Sequence, residues 1–127
     1  METEEIINIA IVDDEVPILQ MLDNYFSRNE KYKVTLFSNP LEMIASLNGS
    51  DYDIVLLDIM MPQLDGIETL RKIKEKSDSA KVIMMTAYSS LDRVLSSHKN
   101  GAHSYILKPF SSLASVEKKV LEVLEQA

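Results

Sequence analysis

The sequence predicts an α/β fold, a doubly wound parallel sheet of five strands with helices on both faces. Two observations support this prediction. Short apolar runs alternate with segments whose apolar residues recur at helical spacing, and such alternation favours parallel strands joined by right-handed crossovers. Two runs, 54–57 and 82–85, are apolar without a break, which is typical of strands that are buried on both faces.

The five predicted strands are the short apolar runs. Each run is too short for a helix, and several are rich in Val and Ile, which favour strands. The runs cover residues 6–12, 32–37, 54–57, 82–85 and 105–107.

The five predicted helices follow the strands in turn. Their apolar residues repeat every three or four positions: Ile18, Leu22 and Phe26; Leu41, Ile44 and Leu47; Ile67, Leu70 and Ile73; Leu91, Val94 and Leu95; and Leu113, Val116, Val120 and Val123. Asn39 before Pro40 predicts the start of the second helix, and Asn100 with Gly101 predicts the end of the fourth. Glu117 and its charged neighbours are expected to form a solvated face of the fifth helix.

Length and composition predict one small globular domain over residues 1–127, with no output domain of its own. The net charge of −7 disfavours nucleic-acid binding, which needs a surplus of Lys and Arg. The chain has no Cys, and its apolar runs are far shorter than a membrane span. We therefore expect a cytoplasmic protein that binds neither nucleic acid nor a membrane.

Polar side chains stand at the carboxyl ends of four of the five predicted strands. They are Asp13, Asp14 and Glu15 after the first strand, Asp58 after the third, Thr86 after the fourth and Lys108 after the fifth. Ligands of open parallel sheets bind beyond these ends. If the four strands are neighbours, the polar groups converge on one pocket.

A pocket with three close carboxylates calls for a cation, because two unit charges about 4 Å apart repel by about 4 kcal/mol at an effective dielectric constant near 20. Oxygen ligands without nearby Cys or His suit Mg²⁺. With Mg²⁺ in place, one carboxylate can attack a phosphoryl group whose oxygens are bound by Lys108 and Thr86.

Four segments together resemble the receiver domains of bacterial two-component response regulators, the CheY-like family. The segments are IVDDE at 11–15, LLDIMMP at 56–62 with Asp65 and Gly66 behind it, VIMMTA at 82–87 and YILKPF at 105–110. They span nearly the whole chain in the family's order. The resemblance implies a flavodoxin-like sheet with the strand order 2-1-3-4-5.

The resemblance also implies roles for individual residues. Asp58 would be the phosphoacceptor, and Asp13, Asp14, Asp58 and the backbone carbonyl of Met60 would bind Mg²⁺. Thr86 and Lys108 would bind the phosphoryl group.

Two further implications concern switching and dephosphorylation. Tyr105 occupies the position whose aromatic ring turns inward when the threonine moves. Met60 and Tyr88 lie two residues after Asp58 and Thr86, where the family tunes the access of water to the acyl phosphate. Both side chains are bulky, which predicts slow autodephosphorylation.

The implied partners are a sensor histidine kinase or a histidine phosphotransfer protein upstream, and an output protein or an output domain outside this chain downstream. The face built by the fourth helix, the fifth strand and the fifth helix would carry the signal, and a phosphorylation-dependent dimer is a further expectation. The protein would be no enzyme beyond its own phosphotransfer and autodephosphorylation.

Two alternatives remain open at this stage. A Mg²⁺-dependent phosphohydrolase of the haloacid dehalogenase type would place its nucleophile after the first strand in an Asp-x-Asp arrangement, whereas Asp13 and Asp14 are adjacent here. A receiver fold that has lost its switch would not need Asp58, Thr86 and Lys108 together.

Overall fold

The computed structural model of the protein describes residues 5–49, 51–61, 64–87 and 98–126. Five parallel strands form one sheet in the order β2-β1-β3-β4-β5. The elements are β1 (Ile7–Val12), α1 (Val16–Phe26), β2 (Tyr32–Phe37), α2 (Pro40–Ser46), β3 (Ile54–Asp58), α3 (Gly66–Lys76), β4 (Lys81–Thr86), β5 (Ser104–Leu107) and α4 (Leu113–Glu125). The predicted fold class and strand order are confirmed.

The fourth of the predicted helices, with Leu91, Val94 and Leu95, lies outside the described residues, so α4 is the fifth predicted helix. Gly101, expected to end that predicted helix, has φ +106, a backbone conformation that favours glycine. The observed strands match the apolar runs to within one residue at each end. Some extend further because the backbone ladder continues into polar residues, as where Asp58 pairs with Met85.

Two hydrophobic clusters cover the two faces of the sheet. Alternate strand residues such as Val55 and Leu57 pack with α2 and α3, whereas Ile54 and Leu56 pack with α1 and α4. Every residue of β3 is buried, as the unbroken apolar run predicts. The sheet is therefore held rigidly from both sides, which fixes the positions of its strand ends.

The apolar stripe predicted for α2 is wrong at Leu41, whose exposed fraction is 51%. The buried residues of this helix are Pro40, Met43 and Ile44. Pro40, at the first helical position behind the capping Asn39, supplies the first apolar contact, so the buried face starts one residue earlier than predicted.

The solvated face predicted for the last helix is wrong at Glu117. Its two carboxylate oxygens accept hydrogen bonds from the hydroxyls of Tyr25 at 2.7 Å and Tyr32 at 2.5 Å. Residues from α1 and β2 supply these donors, so the periodicity of the helix alone could not reveal them.

Candidate functional site

The carboxyl ends of four neighbouring strands bring the predicted site residues to one edge of the sheet. Val12 pairs with Leu57, Asp58 with Met85 and Thr86 with Leu107, so the residues that end each strand stand side by side. The side chains there are unusually buried for polar groups. The exposed fractions are 0% for Asp13, 5% for Asp58 and 2% for Thr86.

Three carboxylates form the acidic centre of this edge. One oxygen each of Asp13, Asp14 and Asp58 lies within 4.8 Å of the others. In the part of the chain that the structure describes, this is the single group of three acidic or histidine residues with such spacing. The donor set consists of hard oxygen ligands, which fits a cation such as Mg²⁺ better than a softer metal.

Asp58 is the acid that this arrangement perturbs most. Its pKa is raised to about 7, chiefly by burial and next by the negative charge of Asp13. The charge of Lys108 and the backbone N–H of Met60, which donates to Asp58 Oδ1 at 3.3 Å, oppose this rise without cancelling it. The ionised carboxylate is therefore poorly compensated by the protein alone.

Lys108 is the cation that the protein itself supplies. Its Nζ lies 2.7 Å from Asp13 Oδ2, 3.2 Å from Glu15 Oε2 and 3.6 Å from Asp58 Oδ2. Burial lowers the pKa of Lys108, but the hydrogen bond and charge of Asp13, together with Asp58 and Glu15, outweigh burial and leave the pKa raised. The side chain therefore stays protonated among the acids.

The backbone around Lys108 and Asp13 is held by specific hydrogen bonds. The N–H of Lys108 donates to the carbonyl of Thr86 at 2.6 Å, and the following peptide bond to Pro109 is cis. The N–H of Glu15 donates to Asp13 Oδ1 at 2.9 Å. The sequence placed Glu15 among the polar groups that converge on the site, but it gave this side chain no particular role there.

The loop after β3 approaches the site closely because Gly66 has no side chain. A Cβ on Gly66 would lie 2.5 Å from the Cα of Ile59 and 2.8 Å from the carbonyl oxygen of Asp58. The N–H of Gly66 also donates to the carbonyl of Ile59 at 2.9 Å. Packing of the first turn of α3 under this loop supports the backbone next to Asp58.

Other predicted residues lie at the rim of the site or away from it. The exposed fraction of Met60 is 60%, whereas Met61 is buried in the cluster under α2 and α3 because it packs on the apolar face of the sheet. Tyr105 is on β5 with an exposed fraction of 49%, so its ring is at the surface and not at the acidic centre. Tyr88 lies outside the described residues.

His103 does not belong to the site. Its Nδ1 accepts a hydrogen bond from the backbone N–H of Val82 at 3.2 Å. Burial and the charges of Lys74 and Lys81 lower its pKa, which favours the neutral ring that this bond requires. The histidine therefore has a structural role at the start of β4 and β5.

A fold of this topology with acids, a hydroxyl and a lysine at its strand ends defines a class of signalling module. The family model for the response regulator receiver domain matches residues 9–120, and the chain belongs to this family. Receiver domains act in phosphorylation-dependent signalling by two-component systems and are not enzymes in the ordinary sense.

Individual relatives agree with this assignment. The chain is 37% identical to the chemotaxis protein CheY of Listeria monocytogenes over 95% of this chain and 98% of the relative. It is 39% identical to the transcriptional regulatory protein ZraR of Klebsiella oxytoca over 83% of this chain, but that match spans only 24% of ZraR. The crystal structure of a CheY-like receiver domain protein from Methanospirillum hungatei has a TM-score of 0.88 and 30% identity, with 95% of each chain covered.

Within the described ranges, every helix is too short or too polar to cross a bilayer.

Proposed function

We propose that this protein is a switch that accepts a phosphoryl group on Asp58. The observation that supports the proposal most strongly is the geometry around this residue. A buried carboxylate lies within 4.8 Å of two further carboxylates and 3.6 Å from a lysine ammonium. This is the arrangement that phosphoryl transfer to a carboxylate requires, because a nucleophile and the groups that neutralise a phosphoryl dianion are within reach of one another.

In the proposed transfer, a carboxylate oxygen of Asp58 forms a bond to phosphorus while the bond from phosphorus to the donor's leaving group breaks. The donor is a phosphohistidine of a sensor kinase or of a phosphotransfer protein. Lys108 Nζ, which lies 3.6 Å from Asp58 Oδ2, binds a phosphoryl oxygen, and the hydroxyl of the buried Thr86 binds another. These two groups hold the charge that arrives with the phosphoryl group.

Asp13, Asp14, Asp58 and the backbone carbonyl of Met60 are the proposed ligands of Mg²⁺. Held by these ligands, Mg²⁺ would supply positive charge to the crowded acids and to the phosphoryl oxygens. The close oxygens of the three acids and the raised pKa of Asp58 support this assignment, since both indicate a need for a positive charge.

The signal is proposed to pass from Thr86 to Tyr105. Thr86 ends β4 and pairs with Leu107, two residues beyond Tyr105 on the adjacent β5. The surface position of the Tyr105 ring corresponds to the state before phosphorylation. When Thr86 moves toward the phosphoryl group, the ring turns inward and the face formed by β5 and its flanking helices changes its affinity for an output protein, an output domain outside this chain or a second copy.

Slow loss of the phosphoryl group is proposed to follow from Met60 and Tyr88. Met60 has an exposed fraction of 60% next to Asp58, where its side chain can cover the acyl phosphate. The double change Met60→Asn with Tyr88→Ala should shorten the half-life of the phosphorylated protein. An unchanged half-life would contradict this assignment.

We further propose the domain organisation, the binding class and the location of the protein. The 95% coverage of a short CheY relative supports a single receiver domain over residues 1–127, and the net charge of −7 supports a protein that does not bind nucleic acid. A cytoplasmic location, next to the catalytic domains of sensor kinases, completes the proposal.

The proposal is tested by incubating the protein with acetyl phosphate and Mg²⁺ and measuring its intact mass. We expect the mass of one phosphoryl group on the wild-type protein and on Asp78→Asn, which removes an exposed carboxylate in the loop before β4. Asp58→Asn should gain no mass. Equal phosphorylation of the wild-type protein and Asp58→Asn would refute Asp58 as the acceptor, and turnover of many phosphate esters per protein would favour a phosphohydrolase.

A further inference from the structure

Asp13 has both of its carboxylate oxygens in use within the described structure. Oδ1 accepts the N–H of Glu15 at 2.9 Å, and Oδ2 accepts the ammonium of Lys108 at 2.7 Å. The side chain is fully buried, so water does not replace either donor. The Lys108 ammonium therefore already occupies Oδ2 of Asp13, and a divalent cation that binds Asp13 has to compete with it.

The carboxylate of Glu15, at the exposed edge of the site, is a second acceptor for the Lys108 ammonium. Its Oε2 lies 3.2 Å from Lys108 Nζ, and its side chain is 60% exposed. Glu15 is the N-cap residue of α1, yet within the described structure its side chain makes no capping hydrogen bond. The carboxylate is directed to Lys108 instead of to the helix end.

The backbone of Glu15 is fixed while its carboxylate can move. Its N–H is bound to Asp13, and its carbonyl accepts the N–H groups of Ile18 at 3.0 Å and Leu19 at 3.2 Å. The half-exposed carboxylate can therefore follow the long Lys108 side chain over a short distance without any change in the fold.

We propose that Glu15 is a positioning residue that holds the Lys108 ammonium when a divalent cation takes Asp13, so that both positive charges occupy the site together. This inference rests on the proposed function, because it assumes that Asp13, Asp14 and Asp58 bind the cation. Without Glu15, Lys108 stays on Asp13 and competes with the cation. Repulsion between the two cations then weakens metal binding.

The test is a double-mutant cycle that measures the dissociation constant of Mg²⁺ by calorimetry. The four proteins are the wild type, Glu15→Gln, Lys108→Met and the double variant. In the wild-type background, Glu15→Gln should weaken Mg²⁺ binding by about two- to fivefold, the range that a half-exposed ion pair supports. In the Lys108→Met background the same change should have no effect beyond error, because the competing ammonium is gone.

Glu42→Gln provides a matched control, since it removes the same exposed charge from the first turn of another helix, α2. It should leave Mg²⁺ binding unchanged. Thermal melts of all five proteins without Mg²⁺ establish that each variant is folded.

Each outcome has a distinct meaning. An equal loss in both backgrounds would overturn the inference, because Glu15 would then act on the cation through its charge alone. No loss in the wild-type background would overturn it as well. If the wild-type protein binds no Mg²⁺, the proposed metal site itself fails, and the inference fails with it.

Discussion

Two carboxylates near opposite ends of the sheet differ in what surrounds them. Asp58, at the carboxyl end of β3, has its pKa raised to about 7 by burial and then by Asp13. Glu117, on α4 beside the amino end of β2, has its pKa lowered by the hydrogen bond from Tyr32, with further help from Tyr25. Burial opposes ionisation in both, but at Asp58 it is the largest cause and Asp13 adds to it, whereas at Glu117 the hydrogen bonds outweigh it.

The donors differ in a way that matches the proposed roles. Glu117 receives two hydroxyl groups at 2.7 and 2.5 Å, which satisfy its charge within the protein. Asp58 receives one long N–H bond at 3.3 Å and a lysine at 3.6 Å, with two further acids close by. The protein therefore satisfies the charge of Glu117 with its own donors, as expected for a structural carboxylate. At Asp58 part of the negative charge remains for a ligand to neutralise.

The largest expected effect tests how tightly the site end is packed. Gly66→Ala should lower the free energy of unfolding by about 3 kcal/mol, because the new Cβ overlaps the backbone of Ile59. Gly49, in the turn after α2, has open space around the position of a Cβ, so Gly49→Ala should change the stability by less than about 0.5 kcal/mol. Urea denaturation of both variants measures the difference.

Equal stabilities of Gly66→Ala and Gly49→Ala would show that the loop under Asp58 yields easily. The packing of α3 would then not preorganise the site. The backbone next to Asp58 could not be called rigid, although the charge of Asp58 would still lack sufficient donors.

The sequence predicts much of the surroundings of Asp58, but not those of Glu117. The fold class, the strands and the convergence of Asp13, Asp58 and Lys108 follow from local apolar runs and from the rule that parallel strands share a carboxyl edge. Glu117 could not be predicted, because its two donors come from positions 92 and 85 residues away in the chain. The role of Glu15 depends on where the Lys108 side chain points, which no sequence period encodes.

The next largest effect concerns the unsatisfied acid itself. Without Mg²⁺ at pH 8, Asp58→Asn should raise the free energy of unfolding by about 2 kcal/mol, because the folded state no longer has to hold a charge that burial and Asp13 disfavour. The amide keeps the shape of the side chain. Thermal melts in EDTA should show a higher Tm for the variant, while Asp78→Asn should match the wild type.

Addition of Mg²⁺ sharpens this test, since the cation stabilises only a protein that binds it. The Tm of the wild-type protein should rise with Mg²⁺ more than that of Asp58→Asn. A lower Tm for Asp58→Asn in EDTA would mean that the three carboxylates do not repel one another as their spacing indicates.

The smallest effect is expected at Glu117, where loss of the charge should destabilise the protein, in contrast to Asp58→Asn. Glu117→Gln should lower the free energy of unfolding by about 1 kcal/mol at pH 7, because an amide oxygen cannot replace a charged acceptor for two hydroxyls; partial exposure keeps the loss small. Glu122→Gln, on the same helix with an exposed partner at 3.7 Å, provides the control and should cost less.

The pH dependence of this loss separates a charge effect from a packing effect. Because the folded pKa of Glu117 lies below its ordinary value of 4.5, its contribution is complete above that value and disappears as the pH falls through the folded pKa. Urea denaturation at pH 7, 5 and 4 should therefore show the gap between the wild-type protein and Glu117→Gln closing toward acid. A gap that stays constant would mean that the tyrosines need the shape of the side chain and not its charge, and the difference between the two carboxylates would then not be electrostatic.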